Sequence, residues 1–175
     1  MKMIKGVLFV FAGLFLLVTL ISLLMPSKVV VARGVSMHGD SVKIFNQIAD
    51  LKNWKNWQPV FKEDSAGITY SPMTDQVNSY AQWTTGGKVN KLLITDKKYP
   101  TVTIALQREG ENDVQNMFKL MPVQEQGNMQ VQWQSITKLK WYPWEKFGGI
   151  FVEKMTGPGY EAGLNSLKEY VESHQ

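Results

Sequence analysis

The 175-residue sequence has no cysteine, only two histidines and, across residues 6–25, not one charged side chain. The missing cysteine excludes a disulfide framework, thiolate metal sites, a cysteine nucleophile and a lipid-modified cysteine. His38 and His174 are isolated, without HExxH-type spacing, so nothing predicts a metal site. His38 reads as a loop residue rather than a catalytic base. No serine sits in a G-x-S-x-G elbow, and neither Gly86-Gly87 nor Gly148-Gly149 belongs to a phosphate-binding strand–loop–helix pattern. No cofactor is expected.

The charge-free stretch, GVLFVFAGLFLLVTLISLLM, carries polar side chains only at Thr19 and Ser22. As a helix it measures roughly 30 Å, the thickness of a bilayer's hydrocarbon core. A cleaved signal peptide and an uncleaved anchor compete for it. The run exceeds the usual signal hydrophobic region, and Leu24-Met25-Pro26-Ser27-Lys28 lacks a small-x-small cleavage pattern, which favours the anchor. The expected division is therefore an anchor over residues 1–27 and a domain over 28–175. A short amino-terminal tail with Lys2 and Lys5 is expected to stay cytoplasmic, placing the domain outside the cytoplasm, in the periplasm.

The formal charge of +4 divides along the same line. Without Lys2 and Lys5 there remain 17 Lys and Arg against 15 Asp and Glu, so the domain is near +2. Signs alternate, as in Glu145-Lys146 and Glu153-Lys154, which describes a solvated surface rather than a track for phosphates. No nucleic-acid partner is expected.

Residues 28–37 are β-rich. Asp40 offers an N-cap for a short helix with Val42, Phe45 and Ile48 on one face. Residues 51–61 read as a further turn or two of helix that Pro59 ends. From residue 68 to 139 the pattern is strands and short turns, including a hairpin at Gly86-Gly87. In MQVQWQSI, Met129, Val131 and Trp133 face one way and Gln130, Gln132 and Gln134 the other. Links this short join antiparallel neighbours. Tyr160, Leu164, Leu167 and Val171 form one stripe of a final helix, which Gly157-Pro158-Gly159 is expected to separate from a segment beginning at Pro143. The class is α+β: an antiparallel sheet of about seven strands, with helices on one face.

Seven strands span roughly 30 Å, whereas one helix covers only about 10–12 Å. The sheet must therefore curl around the last helix, and the enclosed space is either packed solid or an apolar pocket. Its expected lining is Trp83, Phe118, Met129, Trp133, Met155, Tyr160 and Leu164. Pattern alone leaves core and pocket open for each of these residues.

Several strings carry a resemblance. They are the opening strand over residues 29–37, the helix over 40–49, Leu51-Lys52-Asn53-Trp54-Lys55-Asn56-Trp57-Gln58-Pro59, and Met155-Thr156-Gly157-Pro158-Gly159-Tyr160 with the helix it opens. On these the domain resembles the helix-grip, START-like superfamily of polyketide cyclase and lipid-transfer type proteins. The apolar helix followed by Pro-Ser-Lys is similar to a membrane-anchored bacterial branch of it. The resemblance implies a curved sheet wrapped around a long C-terminal helix, with a cavity between them. It does not select an activity, since one scaffold hosts binding, transfer and catalysis.

For catalysis the candidates are Glu153, Glu161 and Tyr160, as proton carriers in a cyclase-like reaction. Against this, Glu153 beside Lys154 suits a surface, and Glu161 suits the first turn of a helix. Trp54 and Trp57 share a helix face and either pack on the sheet, cap a cavity or anchor at a membrane interface; Trp141 and Trp144 pose the same choice. The expected function is a membrane-tethered binding protein for a small hydrophobic ligand, lipid or isoprenoid-like. The rivals are a polyketide-cyclase-like enzyme and a solid-cored interaction module at the membrane.

Overall fold

The structure, a computed structural model, describes residues 2–63, 67–123 and 127–174, with the side chains of 2, 3 and 63 outside that description. Helix α1 spans Lys2–Leu23, of which Ile4–Leu23 is long and apolar enough to cross a membrane, with mean hydropathy 2.7. Strand β1 (Lys28–His38) leads to α2 (Ser41–Ala49), a 3₁₀ helix (Leu51–Asn56) and α3 (Pro59–Glu63). Six strands follow: β2 (Thr69–Tyr70), β3 (Tyr80–Thr85), β4 (Lys88–Lys98), β5 (Thr101–Arg108), β6 (Val114–Pro122) and β7 (Asn128–Lys138). The long helix α4 (Pro143–Ser173) ends the fold. All strands pair antiparallel in the order β1-β7-β6-β5-β4-β3-β2, so the first strand closes beside the last. A register shift between Ile94 and Asp96 in β4 adds the bend of a bulge.

Local chemistry explains several of these elements. Asp40 caps α2, its Oδ1 accepting from Val42 N at 3.0 Å and Lys43 N at 2.8 Å. The buried face of α2 is Ile44, Phe45, Ile48 and Ala49, whereas Val42 in the first turn is exposed, contrary to expectation. Asp50 caps the 3₁₀ helix through Lys52 N. Pro59 does not end a helix but begins one, at the position where a missing N–H costs nothing. The β3–β4 hairpin turns through Gly86 and Gly87 at φ +59° and +76°, a left-handed pair that glycine adopts without strain. His38 is the last residue of β1 rather than a loop residue.

The expected break at Gly157-Pro158-Gly159 does not occur: α4 runs through it, with Pro158 inside the helix. Tertiary packing overrides the local signal. A Cβ at Gly157 would fall 2.5 Å from the Arg33 guanidinium, and one at Gly149 would fall 2.5 Å from Leu139, so glycine lets α4 lie close along β1. Lys146 is a second departure, because it is buried rather than solvated. Its Nζ donates to the Pro26 carbonyl at 3.0 Å, the Met25 carbonyl at 3.4 Å and Ser27 Oγ at 2.9 Å. A cation thus satisfies carbonyls just beyond the C-terminus of α1 and ties that end to α4.

Candidate functional site

The inward residues of the sheet meet α2, the 3₁₀ helix and α4 in one core. Its centre is a file of rings. Trp83 meets Phe61 at 5.2 Å, Phe61 meets Trp54 at 5.6 Å, and Trp54 meets Trp57 at 5.0 Å between centroids. Trp57 continues to Phe118 at 6.5 Å, Phe118 to Trp133 at 4.7 Å, and Trp133 to Tyr160 of α4 at 4.6 Å. These edge-on and tilted contacts are favourable geometries for aromatic pairs. The indole N–H groups of Trp54 and Trp57 donate to the Ile48 and Gln47 carbonyls, which settles this pair as core.

Two polar contacts interrupt the aromatic surface at its α4 end. Trp133 Nε1 donates to Asn116 Oδ1 at 2.9 Å, and Ser135 Oγ lies 3.0 Å from the Tyr160 hydroxyl. Asn116 and Ser135 are register partners on β6 and β7, one step along from the Phe118–Trp133 pair. Both are buried, whereas Tyr160 is only half-buried. Neither polar residue was anticipated. The signal was present: Ser135 lies in the inward phase of Met129, Val131 and Trp133, and Asn116 in that of Phe118 and Leu120. A polar residue in an otherwise apolar phase marks an inward polar atom.

Of the expected lining, Trp83, Phe118, Trp133 and Leu164 are buried in this core, and Tyr160 packs against it. Met129, also packed against this core, is half-buried at the opposite end of the fold, where it borders the cleft around His38 and Tyr170. Met155 does not join them: it is 78% exposed on the outer face of α4. Glu153 is exposed and meets Arg33 at 3.4 Å, and Glu161 is exposed. Neither carboxylate stands on the concave face, which leaves Tyr160 as the titratable member of the three proposed proton carriers there.

A separate cleft of about 840 Å³ opens at the other end of α4, lined among others by His38, Asp40, Asn46, Asn128, Tyr170 and His174. It gathers both histidines, yet much of its polar chemistry holds the fold together. Asp40 caps α2, His38 Nδ1 meets Asn128 Oδ1 at 3.2 Å, and His174 stacks on Tyr170 at 4.4 Å. Glu172 Oε1 accepts from the His38 backbone N–H at 3.0 Å. Among the described residues no cluster of His, Asp and Glu is placed to hold a metal.

No protein-family model and no curated protein matches the sequence. Solved structures do match in shape. A START superfamily protein from Mycobacterium smegmatis superposes with TM-score 0.62 at 15% identity, over 84% of this chain and 99% of that one. Norcoclaurine synthase from Thalictrum flavum, solved with dopamine and hydroxybenzaldehyde, gives 0.61 at 11% identity, over 89% and 92%. Ginseng major latex-like protein 151 from Panax ginseng gives 0.55 at 13% identity, over 85% and 98%. The fold is therefore the helix-grip fold, a curved seven-stranded sheet around a long C-terminal helix with an apolar helix before it.

Proposed function

We propose that this chain is a single-pass membrane protein, anchored by residues 1–27, whose helix-grip domain of residues 28–175 binds a small hydrophobic ligand, lipid or isoprenoid-like, at the α4 end of the concave face. The amino terminus is cytoplasmic and the domain periplasmic in this reading. The observation that carries it is Tyr160, half-buried over Trp133 with its hydroxyl on Ser135. A ring held at the rim of an apolar core is a displaceable plug, and its departure would bare an indole shelf and a hydroxyl. The helix around it suits such movement. Pro158 leaves the Lys154 carbonyl without its helical donor, and a side chain at Gly159 would meet nothing within 4 Å. One helix-grip neighbour, norcoclaurine synthase, was solved in complex with dopamine and hydroxybenzaldehyde. A tether beside the bilayer raises the local concentration of any ligand drawn from it.

The test is a titration of the full chain in detergent with a panel of lipids and isoprenoids, read by tryptophan emission and repeated on Tyr160→Ala. Binding that strengthens when the plug is removed supports the proposal. A second reading, a solid-cored interaction module, is favoured by the continuous filling of the concavity from Trp83 to Tyr160. Emission that no ligand changes, in either the parent chain or Tyr160→Ala, would decide for it. The exposure of Glu153 and Glu161 gives the cyclase reading no comparable support.

A further inference from the structure

The first half of α4 carries an apolar stripe that the core does not use. Trp144, Phe147, Phe151 and Met155 follow at spacings of three, four and four, so they share one helix face. All four are exposed, as are Trp141 and Ile150 beside them. The opposite face is the packed one, with Lys146, Gly149 and Gly157 buried. Both acidic residues of this half-helix are turned toward the domain: Glu145 accepts from Asn112 Nδ2 at 2.9 Å, and Glu153 meets Arg33. At the head of the stripe Tyr142 stacks on Trp144 at 4.8 Å, with Lys140 over the Tyr142 ring.

From this we infer that the Trp144–Met155 stripe is a second membrane contact, lying along the headgroup–acyl boundary of the bilayer that α1 crosses. The inference rests on the anchor reading and goes beyond it. The occupant follows from position. Lys146 holds the first turn of α4 against Met25, Pro26 and Ser27, the residues at which a spanning α1 leaves the bilayer. The backbone N–H of Leu139, just before α4, donates to the Ser27 carbonyl at 2.9 Å, so the chain entering α4 is fixed at the same level. From there the stripe extends about 16 Å along the helix. Its composition is that of an interfacial helix: tryptophans and a tyrosine at one end, aliphatic and aromatic residues along one face, lysine at the margin. A contiguous exposed apolar patch rimmed by polar residues is the mark of a binding surface.

The experiment reconstitutes the full chain into vesicles of phosphatidylcholine and phosphatidylglycerol whose acyl chains are brominated near the headgroup, and reads tryptophan quenching. Flotation of the same vesicles reports the anchor separately. Of the six tryptophans, Trp54, Trp57, Trp83 and Trp133 are buried in the core, so Trp141 and Trp144 are the reporters. The expected result is flotation with strong quenching that falls about twofold or more in Trp141→Phe/Trp144→Phe, as expected for interfacial tryptophans. Flotation with quenching that the double variant leaves unchanged, or with none, overturns the stripe while the anchor stands. In that case a cross-link between Phe151→Cys copies would identify a second chain as the occupant. Failure to float overturns both readings together.

Discussion

The Trp133–Asn116 bond permits a prediction with a defined magnitude. Trp133 is 4% exposed and Asn116 is 3% exposed, so neither group can turn to water when its partner is lost. Asn116→Leu leaves the indole N–H without an acceptor, a cost of about 1–3 kcal/mol. Trp133→Phe leaves the Asn116 oxygen without its donor at a similar cost, and adds about 1 kcal/mol or more for the missing half of the indole beside Phe118 and Tyr160. The double variant removes both partners of one bond, so only one of the two orphan penalties would be present in each single variant and neither in the pair. The double variant should therefore be less destabilised than the summed singles by about 1 kcal/mol or more. The assay is urea unfolding of the full chain in mild detergent, followed by near-ultraviolet circular dichroism, with midpoints compared at equal slope. Additivity to within about 0.5 kcal/mol would refute the reasoning, because it would mean that the indole and the amide do not depend on each other.

Two further outcomes follow from local geometry. Gly163→Ala would place a Cβ 3.1 Å from Trp133 Cζ3, against a ring wedged between Phe118 and Tyr160, whereas a Cβ at Gly159 meets nothing within 4 Å. Thermal unfolding should show Gly159→Ala gaining about 1 kcal/mol from helix propensity and Gly163→Ala gaining none or losing stability; equal gains would contradict the packing described for α4. Burial first, and the nearby charge of Asp50 second, raise the pKa of Tyr70 above its ordinary value. The folded state then holds this proton more tightly than the unfolded one, so its contribution is intact below about pH 10 and is lost as pH climbs through the raised value. Tyr70→Phe should flatten stability above pH 10 relative to the parent chain, and an unchanged alkaline slope would remove Tyr70 from the account.

Much of the architecture was legible because strand periodicity is a direct consequence of burial on one face. The alternation Met129, Val131, Trp133 placed β7 with its inward side correctly, and the Gly86-Gly87 turn located the hairpin. Two of the misreadings share a cause, a local signal outweighed by a contact distant in sequence. Gly157-Pro158-Gly159 reads as a helix end, but α4 runs through it, and the glycine at 157 serves a different need, leaving room for the Arg33 guanidinium of β1. Lys146 reads as a surface charge, yet its ammonium donates hydrogen bonds to carbonyls more than a hundred residues earlier. Asn116 and Ser135 were readable as polar residues in an apolar phase, but their partners were not, because Tyr160 and Trp133 meet them only across the sheet or from α4. Whether the concavity is packed depends on how the seven aromatic residues from Trp83 to Tyr160 orient against one another. That is a property of three-dimensional packing with no periodic trace in the chain.

The central claim is that ligand enters beside Trp133 when Tyr160 yields. Its most direct measurement is the set of six indole N–H resonances of the full chain in detergent, with the Trp133 signal assigned by its loss in Trp133→Phe and followed as isoprenoid or lipid is added. The account predicts that the Trp133 resonance, donated to Asn116 next to Tyr160, shifts progressively to saturation and does so at lower ligand concentration in Tyr160→Ala. Shifts confined to Trp141 and Trp144, with the Trp133 resonance stationary in both chains, would contradict it.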